Sequence, residues 1–198
     1  MTRHALALAT VAALLATTAC NKAGNETGNA QTSAAAKVAG DKTIAAGLPA
    51  DSKFMASAKA AGLDQTLAGP GPYTVLVPDD AAFNDAGDAF ATGPANRAQL
   101  TGAITNLILP GTVLVADIDR AIDNGKGKDM IATMGGGTLT ATKADGKTVL
   151  TDSTGHKATI TKGDDMFSNG VVHHIDAVLM PAKQAAADAP AVGKPAGQ

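Results

Sequence analysis

Three side chains near the C-terminal end of the chain, His173, His174 and Asp176, make up its one cluster of metal-ligand residue types. Imidazole and carboxylate groups suit a divalent ion only if they point the same way. On a β-strand neighbouring residues face opposite sides, so His173 and His174 cannot converge on one ion, whereas His174 and Asp176 can. The simpler reading buries His173, bonded to backbone, and leaves His174 exposed. Nucleophilic catalysis finds less support. A serine hydrolase of the Gly-x-Ser-x-Gly kind needs its serine on a sharp elbow, a motif this chain lacks, and Ser168 before Asn169 is better used in a turn. Met134-Gly135-Gly136-Gly137 is not followed by the lysine and helix of a phosphate loop, so it reads as a hinge or hairpin entry. The pairs Asp79-Asp80 and Asp164-Asp165 could hold Ca²⁺ loosely, but they suit a helix cap and a solvated turn better. No catalytic residue, metal site or cofactor is expected.

The elements that must position these residues follow from the pattern along the chain. Asp51 to Gly62 begins with an N-cap candidate, places Phe54, Met55 and Ala58 on one face and closes on glycine, which predicts an amphipathic helix. Gly69-Pro70-Gly71-Pro72 is a turn, and Tyr73 to Val77 a strand stopped by Pro78. Asp79 or Asp80 can then cap a second helix that returns Phe83 to the interior. Arg97 to Leu109 carries Leu100, Ile104, Leu107 and Ile108 at helical spacing, and Asp117 to Asp123 carries Ile118 and Ile122 four apart. From Met130 onward the pattern alternates: Thr138–Thr142, a turn at Ala144-Asp145-Gly146, Thr148–Thr151, a turn over Asp152–His156, and Ala158–Thr161. The apolar run Val171–Met180 follows a turn at Asn169-Gly170 and ends at Pro181; it is apolar enough to be a central strand. Helices first and strands later predict an α+β domain with a mainly antiparallel sheet.

Of the 198 residues 45% are hydrophobic, but 43 are alanines, so the core must draw on few large side chains. One cysteine leaves no intrachain disulfide. Arg3 and the apolar run Ala5–Ala16 have the length of a secretory h-region, too short to span a bilayer. The run closes on Ala16-Thr17-Thr18-Ala19-Cys20, similar to a bacterial lipoprotein signal in which cleavage precedes Cys20 and its thiol takes up a diacylglyceryl group. Cleavage to a soluble secreted form is the alternative. Asn21 after the cysteine resembles an outer-membrane sorting signal. The chain therefore divides into a signal peptide (1–19), a lipidated Cys20 with a flexible tether (20–38), one domain (39–181) and an Ala/Pro-rich tail expected to be disordered (182–198). The domain holds all five aromatic residues and 11 Lys and Arg against 16 Asp, a net charge of −5 that argues against nucleic acid as a partner.

Two stretches carry a family resemblance. Gly71-Pro72-Tyr73-Thr74-Val75-Leu76-Val77-Pro78-Asp79-Asp80-Ala81-Ala82-Phe83 resembles the first signature block of the fasciclin domain, and Asn169-Gly170-Val171-Val172-His173-His174-Ile175-Asp176-Ala177-Val178-Leu179-Met180-Pro181 resembles the second. The resemblance implies a fasciclin-like fold, an antiparallel-rich β-wedge or sandwich with several short helices packed on one flank. It marks Tyr73, Thr74, Pro78, Asp79, Phe83, Asn169, Gly170, His173 and Asp176 as motif residues with structural or interaction roles. Two departures stand out. Asn106 and Leu107 replace a Tyr-His pair tied to receptor adhesion in animal members, so integrin-type adhesion does not carry over, and Asp165 stands where isoleucine is typical. The resemblance implies a non-enzymatic adhesion or interaction module, and the signal ending at Cys20-Asn21 implies an outer-membrane location facing periplasm or cell surface, or else secretion. Its expected partners are the membrane, through the lipid, and an envelope or extracellular protein or polysaccharide. Binding of an apolar small molecule, a carotenoid or lipid, is the alternative.

Overall fold

The computed structural model describes residues 40–181, so the signal peptide, Cys20, its tether and the C-terminal tail all lie outside the described residues. A single-turn helix, α1 (Ile44–Gly47), leads into α2 (Lys53–Ala61). Ser52 rather than Asp51 caps α2, its hydroxyl accepting Met55 N–H at 3.3 Å. Gly62 ends the helix at φ 79°, a left-handed conformation open to glycine at little cost. Phe54, Met55, Ala58 and Ala61 form its buried face. A short α3 (Asp64–Ala68) follows, and then β1 (Tyr73–Pro78), where the pattern places it.

Past β1 the chain departs from expectation twice. The helix predicted after Pro78 is only a 3₁₀ turn, Ala82–Asn84, with no side-chain cap. The reason is that Asp80 serves another helix: its carboxylate accepts Lys53 N–H of α2 at 2.9 Å. Two further 3₁₀ turns, Gly87–Phe90 and Pro94–Asn96, precede α4 (Arg97–Asn106). That helix stops three residues before Leu109, and Ile108–Pro110 becomes the short strand β2, antiparallel to β1. Apolar runs this short are ambiguous in period, and the β1 edge decides, Leu76 N–H donating to Leu107 O at 2.8 Å.

The amphipathic α5 (Val115–Asn124) buries Ile118 and Ile122, and the antiparallel strands β3 (Lys128–Ala132), β4 (Thr138–Ala144), β5 (Lys147–Thr151) and β6 (Lys157–Phe167) follow it. The β4–β5 turn uses Asp145 and Gly146 at φ 51° and 74°, as the sequence predicts for a two-residue hairpin. β6 runs on past Thr161, and β7 (Gly170–Ile175) turns back along it. The ladder order is β2-β1-β7-β6-β5-β4-β3. Every pairing is antiparallel except β1 with β7, whose register sets Tyr73 opposite Gly170 and Leu76 opposite His173. These two central strands are buried on both faces along nearly their whole length, Thr74 and His173 included, whereas β3, β4 and β5 alternate in and out. At one end the two edge strands meet, Met134 N–H bonding Ile108 O at 2.8 Å.

Candidate functional site

Thr74 lies on β1 with no exposure, yet it carries a hydroxyl. Burial of an unpaired hydroxyl is costly, so its partners explain its place. Thr74 Oγ1 donates to Gly111 O and accepts Val113 N–H, both at 2.8 Å. His173, fully buried on β7, holds the same segment from the other side. Its Nε2–H donates to Val113 O at 2.8 Å, and its Nδ1 accepts Asp164 N–H at 3.0 Å. That pairing specifies the neutral imidazole with its proton on Nε2. Burial accordingly pushes the His173 pKa below its usual value, against smaller opposing effects from Val113 O and the Asp164 and Asp165 carboxylates. Asp164 completes the clasp by accepting Val115 N–H at 2.9 Å, which caps the first turn of α5 with a carboxylate. Gly111 to Val115 is thus tied down at four backbone groups by side chains from both motif blocks and from β6.

Asp164 reaches this position because β6 bulges. Between Ile160 and Asp165 the register against β7 slips twice, and Asp164 sits at φ 62°. Gly163 belongs to the same bulge: a Cβ there would strike the Val115 side chain. The bulge and the clasped segment therefore form one contiguous surface. Thr112 is exposed and Val113, Leu114 and Val115 are half-buried. On the face of β7 opposite His173, Asp165 Oδ2 lies 2.7 Å from Lys162 Nζ and 3.3 Å from His174 Nε2. Partial burial would raise the Asp165 pKa, but the hydrogen bond and charge of Lys162, with a smaller contribution from His174, outweigh it and hold the carboxyl below the usual range.

His174 and Asp176 do not meet. His174 faces Asp165, while Asp176 Oδ1 accepts Thr159 N–H at 2.6 Å and ties β7 to β6. Among the described residues no group of three or more His, Cys, Asp or Glu side chains is placed to hold a metal ion. Asp79 donates its N–H to Ile175 O and accepts Ala82 N–H, Pro78 ends β1 opposite Ile175, and Tyr73 is half-buried where β1 starts. Phe83 packs edge-to-face on Phe90 with ring centroids 5.1 Å apart.

Asn169 ties together segments far apart in sequence. Its Oδ1 accepts Ile44 N–H, and its Nδ2 donates to Leu67 O and Gly69 O, all at 2.8 Å. Next to it Gly170 runs so close to Tyr73 backbone that a side chain would collide with the strand. Asn106, at the first departure from the family pattern, is buried differently. Its Oδ1 lies 3.1 Å from the Thr133 hydroxyl, and its Nδ2 has no partner. Met134-Gly135-Gly136-Gly137 forms the tight turn between β3 and β4 and closes over this residue. Gly135 N–H caps α4 through Thr105 O at 3.0 Å, and a Cβ at Gly137 would strike Asn106 Oδ1.

Sequence reasoning missed Asp152. Its side chain, 1% exposed, accepts Thr154 N–H and Oγ1–H, His156 N–H and Met180 N–H, at 2.7 to 2.9 Å. Burial alone would raise its pKa; the four donors outweigh it and lower the value. The Asp-Ser-Thr-Gly turn was a local signal, but Met180 is too distant in sequence to be paired with it by inspection.

The sequence profile of the family described as Fasciclin domain matches residues 49–181. Protein sll1483 of Synechocystis sp. is 32% identical over 145 residues, which cover 70% of this chain and 71% of that one. Among solved structures, a FAS1 domain pair from the insect cell adhesion molecule Fasciclin I superposes with a TM-score of 0.52 at 20% identity. That match covers 66% of this chain and 45% of the other, so this chain spans less than half the length of the domain pair.

Proposed function

This chain belongs to the fasciclin-domain family, and from that premise we propose that it is a non-enzymatic interaction module of the cell envelope, displayed on a lipid anchor at Cys20. Fasciclin domains are commonly involved in cell adhesion or interaction and are typically extracellular or surface-associated. The observation that carries the reading is where the motif side chains go. Thr74 and His173 are committed to fixing the backbone of Gly111–Val115, and neither is free for proton transfer or metal binding. Side chains that rigidify a partly apolar loop favour recognition, since a preorganised surface loses less entropy on binding. Val113, Leu114 and Val115 supply apolar contact, and the exposed Thr112 supplies a polar edge.

The partner favoured is an envelope or extracellular protein rather than a polysaccharide. Sugar rings stack on exposed aromatic faces, and among the described residues Tyr73 and Phe167 are half-buried and the other three aromatics are buried. The test is retention of envelope proteins on the immobilised full chain. The native chain is expected to hold a saturable component that Leu114→Asp loses. Retention unchanged by Leu114→Asp, or no retention at all, defeats the proposal. Intact mass tests the anchor separately: the mature chain should begin at Cys20 and be heavier by its acyl groups.

A further inference from the structure

A cavity of about 230 Å³ lies between α2 and the loop after β1, away from the clasped segment. Phe83 and Phe90, in edge-to-face contact, form its apolar wall, and Ala56 and Ala91 leave it open. Two polar groups give it direction. Ser57 is 2% exposed and lines the cavity, yet its hydroxyl makes no hydrogen bond among the described residues. A helical serine ordinarily bonds back to the carbonyl four residues earlier, here Lys53 O. At the mouth, Lys53 donates from Nζ to Asn84 Oδ1 at 2.7 Å, a neutral acceptor that leaves the ammonium charge uncompensated by that contact. Its backbone N–H is held by Asp80, so the stem of the side chain starts from a fixed point.

From this arrangement we infer that the cavity is a binding site for small monocarboxylates with a compact, phenyl-sized apolar body. A cavity of about 150 Å³ accepts benzene, so this space, open to solvent on one side, has room for a phenyl ring with a short carboxylate arm. The ring lies against Phe83 and Phe90, the Ser57 hydroxyl donates to a carboxylate oxygen, and Lys53 exchanges Asn84 for the anion. This site is independent of the interaction surface proposed above.

Calorimetric titration of the full chain with phenylacetate, 2-phenylethanol and acetate tests the inference. Phenylacetate should bind saturably at one site, 2-phenylethanol about tenfold more weakly, and acetate without detectable heat, as a charge-assisted hydrogen bond added to an apolar contact requires. Lys53→Met, at an exposed position, should weaken phenylacetate about tenfold and leave 2-phenylethanol unchanged. Amide shifts at Ala56, Gly87 and Ala91 should move with the same titration. Absence of saturable phenylacetate binding, equal affinity for the alcohol, or an unchanged phenylacetate affinity in Lys53→Met overturns it.

Discussion

Asn169 and Asn106 are buried to similar depth, at 7% and 1% exposed, but they are satisfied to different degrees. Asn169 uses its oxygen and both amide hydrogens, and its partners are three backbone groups from two distant segments, α1 and the end of α3. Asn106 meets one hydroxyl, which it shares with Gly137, and its amide nitrogen is unpaired. The first sits in a motif block; the second sits where the family pattern is broken. Burial alone therefore does not tell which polar residue specifies the fold. The number of backbone groups that would be orphaned by its loss does.

Substitutions can break this comparison. Asn169→Ala leaves Ile44 N–H, Leu67 O and Gly69 O without their partner and should destabilise the domain by about 3–5 kcal/mol in urea unfolding. A loss below about 1 kcal/mol would mean water replaces the side chain at little cost. Thr74→Val keeps the shape of a buried strand residue but strands Gly111 O and Val113 N–H. A loss of about 1–3 kcal/mol is expected, with faster amide exchange at Val113 as its local signature.

Acid sharpens the comparison at His173, another saturated group. Its folded pKa lies below the ordinary value of 6.5, so the unfolded chain takes up the proton first. Stability from this residue is complete above pH 6.5 and declines as pH falls below it, by at most about 1.4 kcal/mol per pH unit. His173→Gln should flatten that slope in a series of unfolding curves. Asp152, whose pKa lies below 3.8, adds a separate loss only below that value. The smallest effect is expected at Asn106→Leu. Replacing a half-paired amide by an apolar group of similar size should leave stability within about 1 kcal/mol of the native chain, or raise it. A loss comparable to that of Asn169→Ala would show that an ordered water completes the Asn106 amide.

Local rules made much of the fold readable. Ser52 and Gly62 bounded a helix, Pro78 ended a strand, and Asp145-Gly146 turned a hairpin, because each depends on neighbours within a few residues. The two motif blocks supplied the family. What escaped reading depends on distant partners. Ile108–Pro110 looks helical until β1 claims it, and Lys162-Gly163-Asp164-Asp165 looks like a turn but is a bulged strand, since its pairing with β7 cannot be seen locally. The clasp escaped for the same reason. Nothing in the spacing of Thr74, Asp164 and His173 announces Val113, whose side chain takes no part in the hydrogen bonds that matter.

The place of β7 has a consequence for how the molecule comes into being. It is the last strand among the described residues, yet it lies between β1 and β6 and joins the two halves of the ladder. A polypeptide delivered from its N-terminus can close the β3–β6 hairpins as they emerge, because those contacts are local. β1 can pair early with β2, but its other neighbour comes from the far end of the domain, and contacts of such long range form late. A fragment stopping before Asn169 lacks β7, the Asn169 side chain that bonds Ile44, Leu67 and Gly69, and the His173 half of the clasp. Completion of the domain is thus timed by the arrival of its final dozen residues.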